Sequence, residues 1–168
     1  MTLPCLSVRE PFVELFARKL KRFEVRGRAI LKRYRNQYVM MHVSRTVNKA
    51  QLRYARKMIG IGQGSPRARA KISKLVTAAA ADKTRKGHVV AIVKIGATLR
   101  LSEHTMKRHR GKWERRLFVS CKKMKKACVT EIKEIHLLEE TFAVKGQRGV
   151  WAQRVPRNCV PNTVNLGE

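Results

Sequence analysis

Lys21, Glu24 and Arg26 put an amine, a carboxylate and a guanidinium within one short stretch of the chain. On a β-strand, Glu24 and Arg26 share a face, whereas Lys21 lies at an odd offset from both. A carboxylate beside a guanidinium orients the arginine toward a phosphate or a base edge. The same pair can instead be an ion pair that closes the fold. Five histidines (His42, His88, His104, His109 and His136) supply possible general bases, but no two have the spacing of a shared site. The four cysteines, Cys5, Cys121, Cys128 and Cys159, form no C-x-x-C pair. They read as reduced thiols packed as small hydrophobes, and no metal or other cofactor is expected.

The charge is more decisive. Thirty-nine lysines and arginines face eleven acids in 168 residues, a formal charge of +28. Folding does not need that excess, and self-repulsion destabilises a compact state unless a polyanion neutralises it. The cations run the whole length, so this is not a basic tail on a neutral body. The expected partner is RNA. Candidate phosphate contacts are Arg28, then Arg67, Arg69, Lys71 and Lys74, then Lys107, Arg108, Arg110, Arg115 and Arg116, then Lys122, Lys123, Lys125 and Lys126. Two tryptophans, three tyrosines and five phenylalanines are too few for a stacking platform for single strands. Backbone and shape recognition of structured RNA is the expected mode.

Elements must position these groups. An apolar run predicts a strand over 5–8. Pro11 with Phe12, Leu15, Phe16 and Leu20 predicts a helix over about 11–20. Strands follow over 23–28 and 38–43. Asn48 caps a helix carrying Leu52, Ala55 and Ile59 that ends near Gly60, Gly62 and Gly64. Ser65-Pro66 opens another over 65–80, with Ala68, Ile72, Leu75, Val76 and Ala79 facing a core and Arg67, Lys71 and Lys74 on a second face. Further strands are predicted over 89–95, 117–121, 128–135 and 150–155, and a short basic helix over 102–110. Residues 158–168 lack periodicity and read as an extended tail. The apolar runs are far shorter than the ~20 residues of a membrane span. At the N-terminus 3–8 is too short for a signal peptide, and Arg9 and Glu10 interrupt it.

Five blocks, read in order, resemble one known family. Cys5-Leu6-Ser7-Val8-Arg9-Glu10-Pro11-Phe12 is similar to the opening of the activating signal cointegrator homology (ASCH) domain, and Lys21-Arg22-Phe23-Glu24-Val25-Arg26 to its lysine-x-x-glutamate-x-arginine element. The third strand ending His42-Val43-Ser44, the run Gly87-His88-Val89-Val90-Ala91-Ile92-Val93, and the late element from Phe142 through Gly146, Gln147, Arg148 and Gly149 to Trp151 resemble the rest.

The resemblance implies an α+β fold: a small, mixed β-barrel of the pseudouridine-synthase-and-archaeosine (PUA-like) type with inserted helices. Residues 1–157 would form the domain, with basic insertions at about 60–86 and 103–128. It also implies an RNA cleft lined by Ser7, Arg9, Lys21, Glu24, Arg26, His42, Ser44, Gly146, Arg148 and Trp151, with Trp151 either stacking a base or lying in the core. Some relatives are hydrolases that remove an acyl group from a modified cytidine, and some are ribonucleases; the amidohydrolase-like ones use a lysine and a threonine on the second strand with a later glutamate. Lys21 matches the lysine, but Glu24 stands at the threonine position. A carboxylate does not replace that hydroxyl without a different mechanism. Lys21 and Glu24 are the catalytic candidates if there is an enzyme. The expectation is a non-catalytic RNA-binding protein, a structural component of a ribosome or other large ribonucleoprotein contacted through rRNA and neighbouring proteins; the alternatives are an RNA-processing hydrolase acting on a modified nucleoside and a transcription cofactor module. Its expected place is the cytoplasm, with mitochondrion and nucleus as alternatives.

Overall fold

A computed structural model describes residues 1–61, 65–120 and 126–164. In chain order it has β1 (Thr2–Val8), α1 (Phe12–Ala17), β2 (Phe23–Arg26), a 3-10 turn (Lys32–Tyr34), β3 (Tyr38–Val43), α2 (Lys49–Ile61) and α3 (Pro66–Ala81). There follow β4 (His88–Ser102), α4 (Glu103–Arg108), α5 (Arg110–Leu117), β5 (Lys126–Ala143), β6 (Val150–Arg154) and a last 3-10 turn (Arg157–Cys159). Six strands form one mixed sheet in the order β2-β5-β4-β3-β1-β6, with β1 and β3 parallel and the other pairs antiparallel. This is the α+β architecture that the strand and helix pattern implies. Among the described residues no helix is long and apolar enough to cross a membrane.

The sheet is strongly curled. The Arg26 guanidinium on β2 donates to the Ser7 carbonyl on β1 at 2.6 Å, although the two strands are four places apart in the sheet. Laid flat at ~4.8 Å per strand, they would be about 19 Å apart, beyond any side chain. The bend comes from β4 and β5, whose register shifts between Lys94 and Ile95 and again between Ile95 and Thr98. Such bulges kink a strand and increase its twist. Gly96 sits in this bend, where an added Cβ would come within 2.8 Å of the Glu131 Cβ. The distal half of the β4–β5 ribbon, carrying β2, thereby folds back over β1.

Three apolar clusters fill the result. The main one joins Leu6 and Val8 of β1 to Phe12, Leu15 and Phe16 of α1, Val39 and Met41 of β3, and Ala55, Met58 and Ile59 of α2. On the opposite face Cys5, Met40, Ile92 and Trp151 pack with Cys159 and Val164. The alternation Cys5/Leu6 and Met40/Met41 is the period of two that sends neighbours to opposite sides. A third cluster, around Leu101, Met106, Leu117, Ala127 and Val129, holds α4 and α5 on the ribbon's end.

Several expectations need correction. The strand expected over 117–121 is not there: Leu117 ends α5, and Phe118 caps it in the left-handed region at φ 55°. Trp113 and Leu117, four apart on the helix, pack into the third cluster, and this tertiary contact overrides local β-propensity. Residue 121 lies outside the described residues, as do Gly62 and Gly64. The strands expected over 89–95 and 128–135 are much longer, and the imperfect alternation of the second follows from the bulges. On α3 the apolar stripe begins late: Ala68 is exposed, and Val76, Ala79 and Ala80 are buried. Pro11 precedes α1 instead of opening it. Residues 157–164 pack rather than trail, since Cys159 and Val164 are buried. Residues 165–168 lie outside the described residues.

Candidate nucleic-acid interface

The parallel strands β1 and β3 end side by side, with Ser7 paired to His42 and Val8 to Val43. Beyond those ends opens a cavity of about 1140 Å³. Its floor and walls come from β1 and the residue after it (Ser7, Arg9), β2 (Glu24, Arg26), β3 and the following turn (His42, Ser44, Arg45, Thr46), and the start of α2 (Ala50, Gln51, Tyr54). Lys21, the segment leaving α5 (Phe118, Val119, Ser120) and the β5–β6 loop (Lys145, Gly146, Gln147, Arg148, Gly149) also line it. Nine of the ten cleft residues expected from the resemblance therefore meet in one cavity. Trp151 is the exception. It is 8% exposed in the second cluster, edge-on to His42 with ring centroids 5.8 Å apart. A ring packed in this way backs the His42 imidazole and cannot stack a base.

The side chains at the base of the cavity hold one another. Ser7 Oγ and His42 Nδ1 are 2.9 Å apart, and burial, the dominant influence on this ring, lowers the His42 pKa and favours the neutral imidazole. Arg26 Nε donates to Glu24 Oε1 at 2.7 Å while its other end reaches the Ser7 carbonyl. Both sequence readings of this pair hold at once: Glu24 orients Arg26, and the oriented Arg26 closes the curled sheet. Lys21 is 2% exposed; its ammonium lies 5.0 Å from the Phe12 ring centroid and 5.5 Å from that of Phe16, and donates to the Leu117 carbonyl. That carbonyl belongs to the last turn of α5, where backbone acceptors lack helical partners and a cation is favoured. Burial pulls the Lys21 pKa down to about 8, opposed by the nearby Glu24 carboxylate.

Around the mouth, Arg9, Arg45, Lys145 and Arg148 are exposed. Glu24 is the one carboxylate among the lining residues, and Arg26 occupies it. The cavity thus offers anions an uncompensated cationic rim over a half-apolar floor. Arg45 and Lys145 were not among the expected cleft residues, although Arg45 directly follows His42-Val43-Ser44 and Lys145 precedes Gly146. Gln51 and Tyr54 had no such signal, because which face of α2 turns to the cavity depends on tertiary packing.

Gly146 is where the loop passes closest to the base of the site. A Cβ there would lie 2.5 Å from His42 Cε1 and 3.2 Å from Ser7 Oγ. His42 is 2% exposed and backed by Trp151, so it has nowhere to go. Gly146→Ala is expected to destabilise the protein by ~1–3 kcal/mol, the range for overpacking. Adding His42→Ala should return part of that loss, as measured by urea unfolding. If the two substitutions are strictly additive, the contact is not the cause.

The candidate phosphate contacts divide. Arg28, Arg67, Lys71, Lys74, Arg108, Arg115 and Lys126 are exposed, and Arg69 is half-buried. Lys107 pairs with Glu103 at 2.8 Å and Arg110 with Glu114 at 3.1 Å, while Arg116 lies over the Phe23 and Trp113 rings at 5.4 and 5.8 Å. Lys122, Lys123 and Lys125 lie outside the described residues. Of the cysteines, Cys5, Cys128 and Cys159 are buried free thiols, and Cys121 lies outside the described residues.

No protein-family model and no curated protein matches the chain. Solved structures do. The crystal structure of ASCH from Zymomonas mobilis aligns with 90% of this chain and 87% of its own, with a TM-score of 0.52 at 10% identity. Two single-substitution variants of that protein align over the same 90% of this chain, with TM-scores of 0.51 and 0.52, also at 10% identity. At that identity the likeness concerns architecture alone, and the architecture of this chain is the ASCH-domain fold.

Proposed function

We propose that this protein is a non-catalytic RNA-binding protein and a structural component of a large ribonucleoprotein, in the simplest case the cytoplasmic ribosome. The observation that carries the reading is the distribution of its charge. Exposed lysines and arginines stand on α2, α3, α4, α5 and the cavity rim, while the chain as a whole holds eleven acids. Phosphates approaching from several sides would neutralise that surplus, and rRNA supplies them at high density. The ASCH-type cavity adds a place for a nucleotide of the bound RNA.

The engagement of the two catalytic candidates supports the non-catalytic part. Lys21 donates to a helix carbonyl and Glu24 to none but accepts from Arg26, so each serves the fold. The test is sedimentation of cell extract containing the tagged protein through a sucrose gradient. The protein is expected to travel with a ribosomal subunit and to remain there after a moderate salt wash. A protein found only at the top of the gradient would remove the ribosomal reading, and one that also bound no structured RNA would remove the RNA reading.

A further inference from the structure

From Lys49 to Ala81 the chain has no aspartate or glutamate. The stretch builds α2 and α3, which pack together and bury Ala55, Met58 and Ile59 of one and Val76, Ala79 and Ala80 of the other. Their outward side carries Lys49, Arg53, Arg56 and Lys57 on α2 and Arg67, Lys71 and Lys74 on α3, all exposed. None of these forms an ion pair with a described residue. Lys49, Arg53 and Lys57 recur every four residues, which sets them on one stripe at about 6 Å per step.

That stripe begins at the cavity. Ala50 and Tyr54, which line it, stand about 100° around the helix from Lys49 and Arg53. The cationic line therefore runs from the cavity's edge outward along α2. Building on the RNA-binding reading above, we propose that α2, continued by α3, is a track for the phosphate backbone of an RNA strand leaving the cavity. The ligand of the cavity is then a polynucleotide, and not a free nucleoside or nucleotide. The outward side has no aromatic ring on which a base could stack, so it meets phosphates. An anionic membrane fits less well. An interfacial helix needs its apolar face for the acyl boundary, and here that face is committed to the core, leaving Ile61 as the exposed large apolar residue.

The test compares Lys49→Gln/Arg53→Gln/Lys57→Gln with a control of equal charge change, Lys32→Gln/Arg33→Gln/Arg35→Gln, all at exposed positions. Binding of fluorescein-labelled 3- and 12-nucleotide RNAs is measured across a salt series, with phosphatidylserine vesicles as a separate arm. For the 12-mer, the α2 variant is expected to lose roughly 10- to 50-fold in affinity at 150 mM salt. Its log–log salt slope should fall by about 2, at about 0.7 per single-strand phosphate. Its affinity for the 3-mer should match wild type, and the control should lose much less. Equal losses in both variants, or no loss in the α2 variant while wild type binds the 12-mer, would overturn the track alone. Vesicle binding abolished by the α2 substitutions with RNA binding intact would reassign the face to a membrane. Failure of wild type to bind either RNA would overturn the track, and failure to bind a labelled RNA hairpin as well would overturn the RNA reading itself.

Discussion

Raising the salt from 50 to 200 mM is expected to lower the affinity of this protein for structured RNA by roughly 10³–10⁵-fold, the loss for six to ten phosphate contacts. The number of contacts follows from the described surface. Arg28, Arg67, Lys71, Lys74, Arg108 and Arg115 are exposed, and so are Arg9, Arg45, Lys145 and Arg148 at the cavity mouth. Each neutralised phosphate releases condensed counterions, so log affinity should fall linearly with log salt, at a slope of about −5 to −9. Fluorescence anisotropy with a labelled RNA hairpin over a salt series reads the slope directly. A slope shallower than about −2 would mean that these cations face water in the complex, and the envelopment by RNA would have to be given up. Duplex DNA of equal length in competition at 150 mM salt should bind more weakly, because readers of A-form shape discriminate between the two helices.

Lys21→Ala is expected to cost ~3–5 kcal/mol in stability, and Lys21→Met less than half of that. The alanine leaves a cavity beside Phe12 and Phe16, a partnerless Leu117 carbonyl at the end of α5, and the Glu24 carboxylate without its nearby cation. Large-to-small core changes cost about 2–5 kcal/mol and an orphaned buried acceptor about 1–3. Methionine keeps most of the volume and removes a buried charge, whose desolvation cost is thereby recovered. Urea unfolding decides it; equal losses for both variants would show that the ammonium's bond to α5, and not the volume, is what matters.

The same amine gives the stability a pH signature, together with Glu10. Lys21 is held at about 8 in the fold against an ordinary 10.5. Between those values the unfolded chain binds more protons, so stability rises with pH above about 8. Glu10 is fully buried before α1, where its carboxylate accepts from the Glu14 amide at 3.1 Å and faces Arg85 at 3.6 Å. Burial, the largest influence, outweighs Arg85 and pushes it up to about 7 from an ordinary 4.5. There the folded state binds the extra proton, so stability falls as pH rises from 4.5 to 7. The urea midpoint should therefore be lowest between pH 7 and 8. Glu10→Gln should flatten the acid flank and Lys21→Met the alkaline one.

Much of the site was legible because it lies where short blocks end. Ser7-Val8-Arg9, His42-Val43-Ser44 and the glycine-containing segment around 146 each close or follow a strand. Strand ends of one sheet converge in space once the strand order is known. Trp151 read as a core ring more readily than as a stacking ring. Its position on β6, paired with Cys5 of β1, turned it away from the cavity and into the second cluster. Lys21 read as a catalytic candidate because it matches a lysine of the hydrolase relatives. Its actual partner, the Leu117 carbonyl, is 96 residues away and belongs to an insertion whose last turn looked like a strand. No local pattern carries a contact of that separation.

Taken alone, the amino-acid sequence determined the cationic surplus and its spread over every segment. It also determined the α+β pattern and most strand cores, because charge, capping and the periods of 2 and 3.6 are properties of neighbours along the chain. Tertiary structure alone decided that β4 and β5 bend at Gly96 and let Arg26 close on Ser7. It also decided that Lys21 is tied to α5 and that the outward cations of α2 start at the cavity's edge. These depend on bulge geometry and on which helix face meets the sheet, and both are set by packing between segments far apart in the chain.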